Sequence, residues 1–375
     1  MKTPNEIRSL TGLRGVAAVY VVLYHFITPL PFTNFLNTFE SHGYLAVDLF
    51  FVLSGFVMAM NYGHMFQDGW SFASYRRFLG RRVARIYPLY LVVTIVGFIE
   101  LFHHHRAYAQ AFEILAANVL MIQTWGLVRS FDTACWSISS EWAAYVIFPL
   151  LLMPTLYAKV SIRCLSAAAC VVILGALCIL PTQFHGPGRS DALLDLVQPT
   201  LAIPVVRCLA EFALGLLAFR TSLTPVGQWV KLSKWIAPSA LLVIIALLTI
   251  PKTDFAVVML FPILIVSLAS DLNVAGRVLA SKPLEFVGTI SYSIYLDHVF
   301  IHGAKIQLWI TAAVTKAHLG HPEYYVTAFF FAITFPISYI AYRLIEKPGR
   351  RWLRRLFEPS RQETTRSSVA ASAKT

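Results

Sequence analysis

The chain has 375 residues, of which 57% are hydrophobic and only 13% charged, and its mean hydropathy is +0.64. So few charges cannot clothe one or two soluble cores in polar surface, which excludes an ordinary cytosolic enzyme, a nucleic-acid-binding domain and a disordered chain. The composition is that of an all-α, polytopic membrane protein, and the net charge of +12 reads as orienting loop charge rather than a footprint for nucleic acid.

Lys2 and Arg8 precede an apolar run that resembles a leader. Arg14 and His25 interrupt it and no small-residue cleavage site follows, so it reads as a retained first helix. Apolar windows of spanning length then fall at 10–28, 44–61, 85–102, 135–157, 162–181, 199–219, 235–250, 254–270, 286–312 and 324–345, with a shorter run at 111–127.

Loop charge decides the parity. Arg76, Arg77, Arg81, Arg82 and Arg85 mark one side, as do Lys159 and Arg163, Arg220, Lys231 and Lys234, Arg277 and Lys282, and the basic tail. Residues 29–43 carry no Lys or Arg, and 182–198 carry only Arg189. All the basic loops fall inside only if 111–127 and 135–157 do not both cross. The expectation is therefore about ten spans, a short re-entrant or interfacial helix at 111–127, and both termini cytoplasmic. Residues 1–348 form the membrane domain, and 349–375 a basic, disordered cytoplasmic tail, polar and rich in Ser and Thr from Pro359. No internal repeat marks a transporter built of two related halves.

The five cysteines include no C-x-x-C pair and lie mostly in apolar runs, so they read as packing residues. His103, His104 and His105 are a weak metal signal, and no metal site is expected.

Ionisable residues inside spans are costly and are candidates for function. Arg14 and His25 are eleven residues apart, which puts them on one helical face and about 16 Å apart in depth. Arg14 is either a snorkelling anchor or a ligand contact. His25 is either a buried neutral histidine or a reactive one. Asp48 opens a helix that enters from the same side, at the depth of His25, where a carboxylate can fix a histidine tautomer. Glu141, in Trp136-Ser137-Ile138-Ser139-Ser140-Glu141, starts another such helix. The bland reading is that both acids cap helix ends at the interface.

At the opposite face Arg82 and Arg85 share a helix side, as a topology signal or as a fork for phosphate. Arg207 and Glu211, four residues apart, read as a structural pair. His298, in Ser291-Tyr292-Ser293-Ile294-Tyr295-Leu296-Asp297-His298, lines a cavity or is a satisfied core histidine.

Together these segments resemble the acyltransferase 3 family of bacterial inner-membrane proteins, which O-acylate O-antigen, exopolysaccharide, Nod factor and related glycans. The resemblance runs from Ile7 to Pro348. It is carried in order by Thr11-Gly12-Leu13-Arg14-Gly15 with Tyr24-His25, Phe50-Phe51-Val52-Leu53-Ser54-Gly55-Phe56, Arg82-Val83-Ala84-Arg85-Ile86-Tyr87-Pro88, the Trp136–Glu141 segment, Ser291–Leu296 with His298, and Glu346-Lys347-Pro348. Many relatives add an esterase-like domain after the last helix. This chain ends 29 residues after Glu346 and is expected to act without one.

The resemblance implies an acyl-CoA donor, acetyl-CoA in the first instance, as co-substrate with no bound cofactor. It also implies His25 as the catalytic residue. The expected acceptor is a glycan or lipid-linked sugar, in a multi-pass protein of the inner membrane surrounded by lipid. Arg14, Arg82 and Arg85 would hold the CoA phosphates, and Trp136, Ser137, Ser139 and His298 would line the cavity. The pantetheine arm, with a reach of about 16–20 Å, would carry the thioester to His25. His25, oriented by Asp48 or Glu141, would act as general base, or would itself carry the acyl group. A transporter or flippase of a lipid-linked sugar is the rival class, since it too needs many helices and buried charge.

Overall fold

The computed structural model describes residues 7–26, 34–104, 111–128, 130–131, 134–181, 184, 192–196, 201–270, 273–301, 304–318 and 320–357. Every regular element among them is a helix: α1 (Arg8–Phe26), α2 (Asn34–Ser41), α3 (Leu45–Tyr62), α4 (Phe72–His104), α5 (Ala111–Val119), α6 (Cys135–Val146), α7 (Phe148–Leu152), α8 (Val160–Cys178), α9 (Ile203–Ser222), α10 (Pro225–Leu232), α11 (Ile236–Leu247), α12 (Asp254–Leu268), α13 (Val274–Leu279), α14 (Lys282–Thr289), α15 (Ser291–Ile301), α16 (Ala304–Lys316), α17 (Pro322–Ala341) and α18 (Lys347–Phe357).

Among the described residues, five helices are long and apolar enough to cross a membrane, and up to seven if each of two bent pairs is one span. The bends are 69° between α6 and the α7 segment and 80° between α10 and α11. The window expected at 286–312 is divided among α14, α15 and α16. Helix α5 has nine residues, about 14 Å, against a hydrocarbon thickness of about 30 Å. Large apolar side chains point outward along the helices, as at Leu150, Leu165, Val172 and Leu242, which suits a lipid surround and not water.

Two close crossings set the register of the centre. A Cβ on Gly12 would stand 1.9 Å from the Leu279 carbonyl oxygen, and one on Gly288 would stand 1.8 Å from that of Thr11. Helix α1 therefore lies backbone to backbone on α13 and α14, and only glycine permits the approach. A Cβ on Gly55 or on Gly215 would stand 2.0 Å from the Phe212 or the Val52 carbonyl oxygen, so α3 and α9 meet in the same way.

Residues 349–357, expected in a disordered tail, are helical. Helix α18 packs along α4, with Phe357 against Gly80 and Gly349 against Pro88. The rest of the expected tail, 358–375, lies outside the described residues, as do His105 and Ser190. Of the cysteines, Cys135, Cys170 and Cys208 are buried, Cys178 is half-buried and Cys164 is exposed.

Candidate active site

Arg14 sits one residue before Gly15, on the helix that the glycine contacts fix. Its guanidinium donates to Ser291 Oγ at 3.3 Å, at the start of α15. Eleven residues on, His25 meets His298 near the end of α15, with 3.3 Å between His25 Nδ1 and His298 Nε2. About three turns of α1 thus run beside two turns of α15, and the face shared by Arg14 and His25 is turned toward it.

The Arg14 end opens into a cavity of about 150 Å³, against the 10–15 Å³ or so that one water needs. Its charged lining residues are Arg14, Arg82, Arg85 and Glu141. Arg82 donates to the Tyr62 hydroxyl at 2.7 Å, and its guanidinium lies 4.8 Å from the centre of that ring. Arg85 is bound to Glu346 and lies 5.5 Å from the centre of the Tyr292 ring. The other Glu346 oxygen accepts from Ser293 at 2.8 Å. Aromatic faces and a carboxylate thus hold both forks in place. Glu141 accepts from the Tyr145 hydroxyl at 2.6 Å, and that hydroxyl lies 3.1 Å from Ser54 Oγ.

Tyr295 joins the cavity to the histidines. It is a lining residue whose hydroxyl lies 2.6 Å from Ser137 Oγ, while its carbonyl is 2.7 Å from His298 Nδ1. The Val21 carbonyl lies 2.9 Å from His25 Nδ1. A carbonyl can only accept, so each neutral ring carries its proton on Nδ1. The His25 proton is then shared between Val21 and the lone pair of His298 Nε2, and the basic lone pair of neutral His25 sits on its Nε2. Tyr24 packs edge-on against the His25 ring, with centroids 4.8 Å apart, and hydrogen-bonds Asp195 at 3.2 Å. His25 itself is exposed.

Several residues stand elsewhere than expected. Asp48 is fully buried on Arg207, with Arg207 Nε 2.8 Å from its carboxylate. The reason is the crossing at Gly55 and Gly215: about two turns back toward both N-termini, α3 and α9 bring these two side chains face to face. Glu211 completes a triad at 3.5 Å from Arg207, so the expected Arg207–Glu211 pair has a third member. Glu141 is among the arginines and not beside His25, because six residues of α6 carry it about 9 Å along from Cys135.

Trp136 lies against Arg207, 5.7 Å from ring centre to guanidinium, and packs edge-on to Phe51 instead of lining the cavity. Ser139 is tied to Thr124 at 2.8 Å and is likewise not a lining residue. Ser137 does line the cavity, whereas His298 lies beyond it on His25. Tyr62 and Tyr145 are not singled out in the sequence, and Tyr292 and Tyr295 enter only as members of the Ser291–Leu296 segment. Tyr295 stands one helical turn before His298, a spacing that could have marked it. No group of three or more potential metal ligands occurs among the described residues.

A helical membrane protein is thus defined in which an arginine-lined cavity leads through a tyrosine to a histidine pair. The chain belongs to the acyltransferase 3 family, whose acyltransferase domain model matches residues 7–343. It is 30% identical over 326 residues to the acyltransferase MdmB of Streptomyces mycarofaciens, covering 80% of each chain. It is 25% identical to the peptidoglycan O-acetyltransferase OatA of Listeria monocytogenes, over 92% of this chain and 56% of that one. With the O-acetyltransferase OatA of Staphylococcus aureus it shares 22% identity, over 94% of this chain and 58% of the other. The chain thus spans little more than half the length of the two OatA relatives. No solved structure matches it.

Proposed function

We propose that this acyltransferase moves an acetyl group from cytoplasmic acetyl-CoA to a hydroxyl of an exported glycan. The observation that carries the reading is the relay of contacts from the cavity that Arg14, Arg82 and Arg85 line, through Ser137 and Tyr295, to the His298–His25 pair. The arginine forks suit phosphate. The lone pair on His25 Nε2 suits a general base.

In this reading His25 takes the proton of the sugar hydroxyl as its oxygen attacks the thioester carbonyl. The carbon–sulfur bond breaks, and the proton passes to the departing thiolate. His298 holds the tautomer and accepts from Nδ1–H while His25 is charged, which is the part expected of Asp48 or Glu141. Tyr295, hydrogen-bonded to Ser137 and His298, keeps the two stations in register. The names of the OatA relatives support a glycan acceptor, peptidoglycan among them.

In this reading the face that carries the arginines of α4 and α18 is cytoplasmic, in keeping with the excess of basic residues there, in the inner membrane of a bacterium, with both termini inside. A cysteine at Lys159 should then resist an impermeant reagent applied from outside. The function itself is tested by incubating the purified protein in nanodiscs with radiolabelled acetyl-CoA and peptidoglycan or another surface glycan. Label should appear on the glycan and be released by mild base as an O-ester. Label retained wholly on acetyl-CoA, across glycans, contradicts the proposal.

A further inference from the structure

Helix α18 separates its side chains into three faces. Gly349 and Phe357 meet Pro88 and Gly80 of α4, and Leu353, half-buried, falls between them on the same line. Trp352 and Leu356 are exposed, 62% and 60%, on the adjoining side. Lys347, Arg350, Arg351, Arg354 and Arg355 stand at i, i+3, i+4, i+7 and i+8 and form one stripe on the remaining arc.

The stripe does not stand alone. The contacts at Gly80 and Pro88 run α18 antiparallel to the segment of α4 that carries Arg82 and Arg85. Arg350 is half-buried and lies in the electrostatic field of both, with Arg354 and the Glu346 carboxylate as further neighbours. That carboxylate is already bound to Arg85. Crowding guanidinium groups away from bulk water is unfavourable unless an anion joins them. Trp352 and Leu356 occupy the apolar arc of α18, and the cations lie on the arc opposite.

We infer that the α18 stripe, with Arg350 at its inner edge, is the docking strip for the nucleotide phosphates of the donor, continuing the cavity arginines outward. The inference rests on the acyl-CoA reading above and adds a second binding element from the opposite end of the chain. It assigns α4 the phosphates nearest the pantetheine arm and α18 those at the nucleotide end.

The test compares two thioesters with the same reactive end: acetyl-CoA, and acetyl-pantetheine, which lacks the nucleotide phosphates. Full-length protein carrying Arg350→Gln and Arg354→Gln is assayed in nanodiscs of neutral and of anionic lipid. The KM for acetyl-CoA should rise about tenfold in both lipids, as expected for loss of charge-assisted contacts, while the KM for acetyl-pantetheine stays unchanged. A rise confined to anionic nanodiscs overturns the inference in favour of a lipid headgroup on the stripe. Equal loss with both thioesters overturns it in favour of a packing role for α18. An unchanged KM for acetyl-CoA overturns it alone, leaving the acyl-CoA reading intact. Wild-type protein that uses neither thioester sinks that reading and this inference with it. Should the double variant fail to accumulate, Arg350→Lys gives the same comparison with the charge retained and the fork lost.

Discussion

Charge inside the helical body is of two kinds, open and sealed, and the two behave in opposite ways. Arg14, Arg82, Arg85 and Glu141 border an open cavity. Asp48, Arg207 and Glu211 are sealed, at no more than 2% exposure, and bind one another. A second sealed group joins Asp254 to His42 at 3.5 Å, to Tyr44, and to the Leu194 amide at 2.9 Å, and the Leu194 carbonyl in turn accepts from Arg207. The sealed groups fasten α3, α9 and α12 together. The open group leaves its side chains lining a cavity. An ionisable residue in a membrane helix is therefore not a site by position alone; what it faces decides.

The largest effect expected from either region concerns His25, to which the open region leads. His25→Ala should lower glycan acetylation by about 10²–10⁴-fold while the protein still folds, as measured by label transfer from acetyl-CoA. In the sealed region the order of effects follows charge balance. Arg207→Met leaves Asp48 and Glu211 buried without their cation, and should cost about 3–5 kcal/mol of stability. Asp48→Asn leaves Arg207 still neutralised by Glu211 and should melt closer to wild type in detergent. Equal melting temperatures for Arg207→Met and wild type would erase the distinction between the two regions.

Smaller effects sharpen it. Arg82→Lys with Arg85→Lys keeps the charge but removes two forks. The KM for acetyl-CoA should rise about tenfold, near 1.4 kcal/mol, with that for the glycan little changed. A merely anchoring pair would leave both constants alone. His298→Phe should lower kcat about tenfold at constant KM, and His298→Gln, which keeps an acceptor for His25 Nδ1–H, should recover most of the loss. Failure of Gln to do better than Phe would reduce His298 to packing.

The smallest effect lies outside the spans. Glu40, at the end of α2, is pushed up by burial from 4.5 to about 7. Its folded-state value is raised, so the native state holds the extra proton, and its contribution to stability fades as pH climbs from about 4.5 to about 7. Amide exchange in α2, corrected for intrinsic rates, should quicken over that range, and Glu40→Gln should flatten the trend.

Much of this was legible in the residues. The apolar runs of α1, α3, α4, α8 and α17 are long enough to announce themselves, and the 3.6-residue period placed Arg14 and His25 on one face. The partner of Asp48 was not legible, because depth can be counted along one helix whereas the crossing of α3 with α9 depends on where Gly55 and Gly215 let two backbones touch. The same limit moved Glu141 from the histidine to the arginines. Helix α18 was hidden by composition: its charge resembles a solvated tail, and only the match of Gly349 and Phe357 to Pro88 and Gly80 makes it part of the fold.

The central claim is that donor binding and proton transfer occupy separate stations on one path. Acetyl-CoA titrated calorimetrically into His25→Ala protein in nanodiscs, with glycan label measured on the same preparation, tests it most directly. The account predicts acetyl-CoA affinity within about twofold of wild type, about 0.4 kcal/mol, together with transfer reduced to background. Loss of acetyl-CoA binding in the variant, or transfer at the wild-type rate, would contradict it.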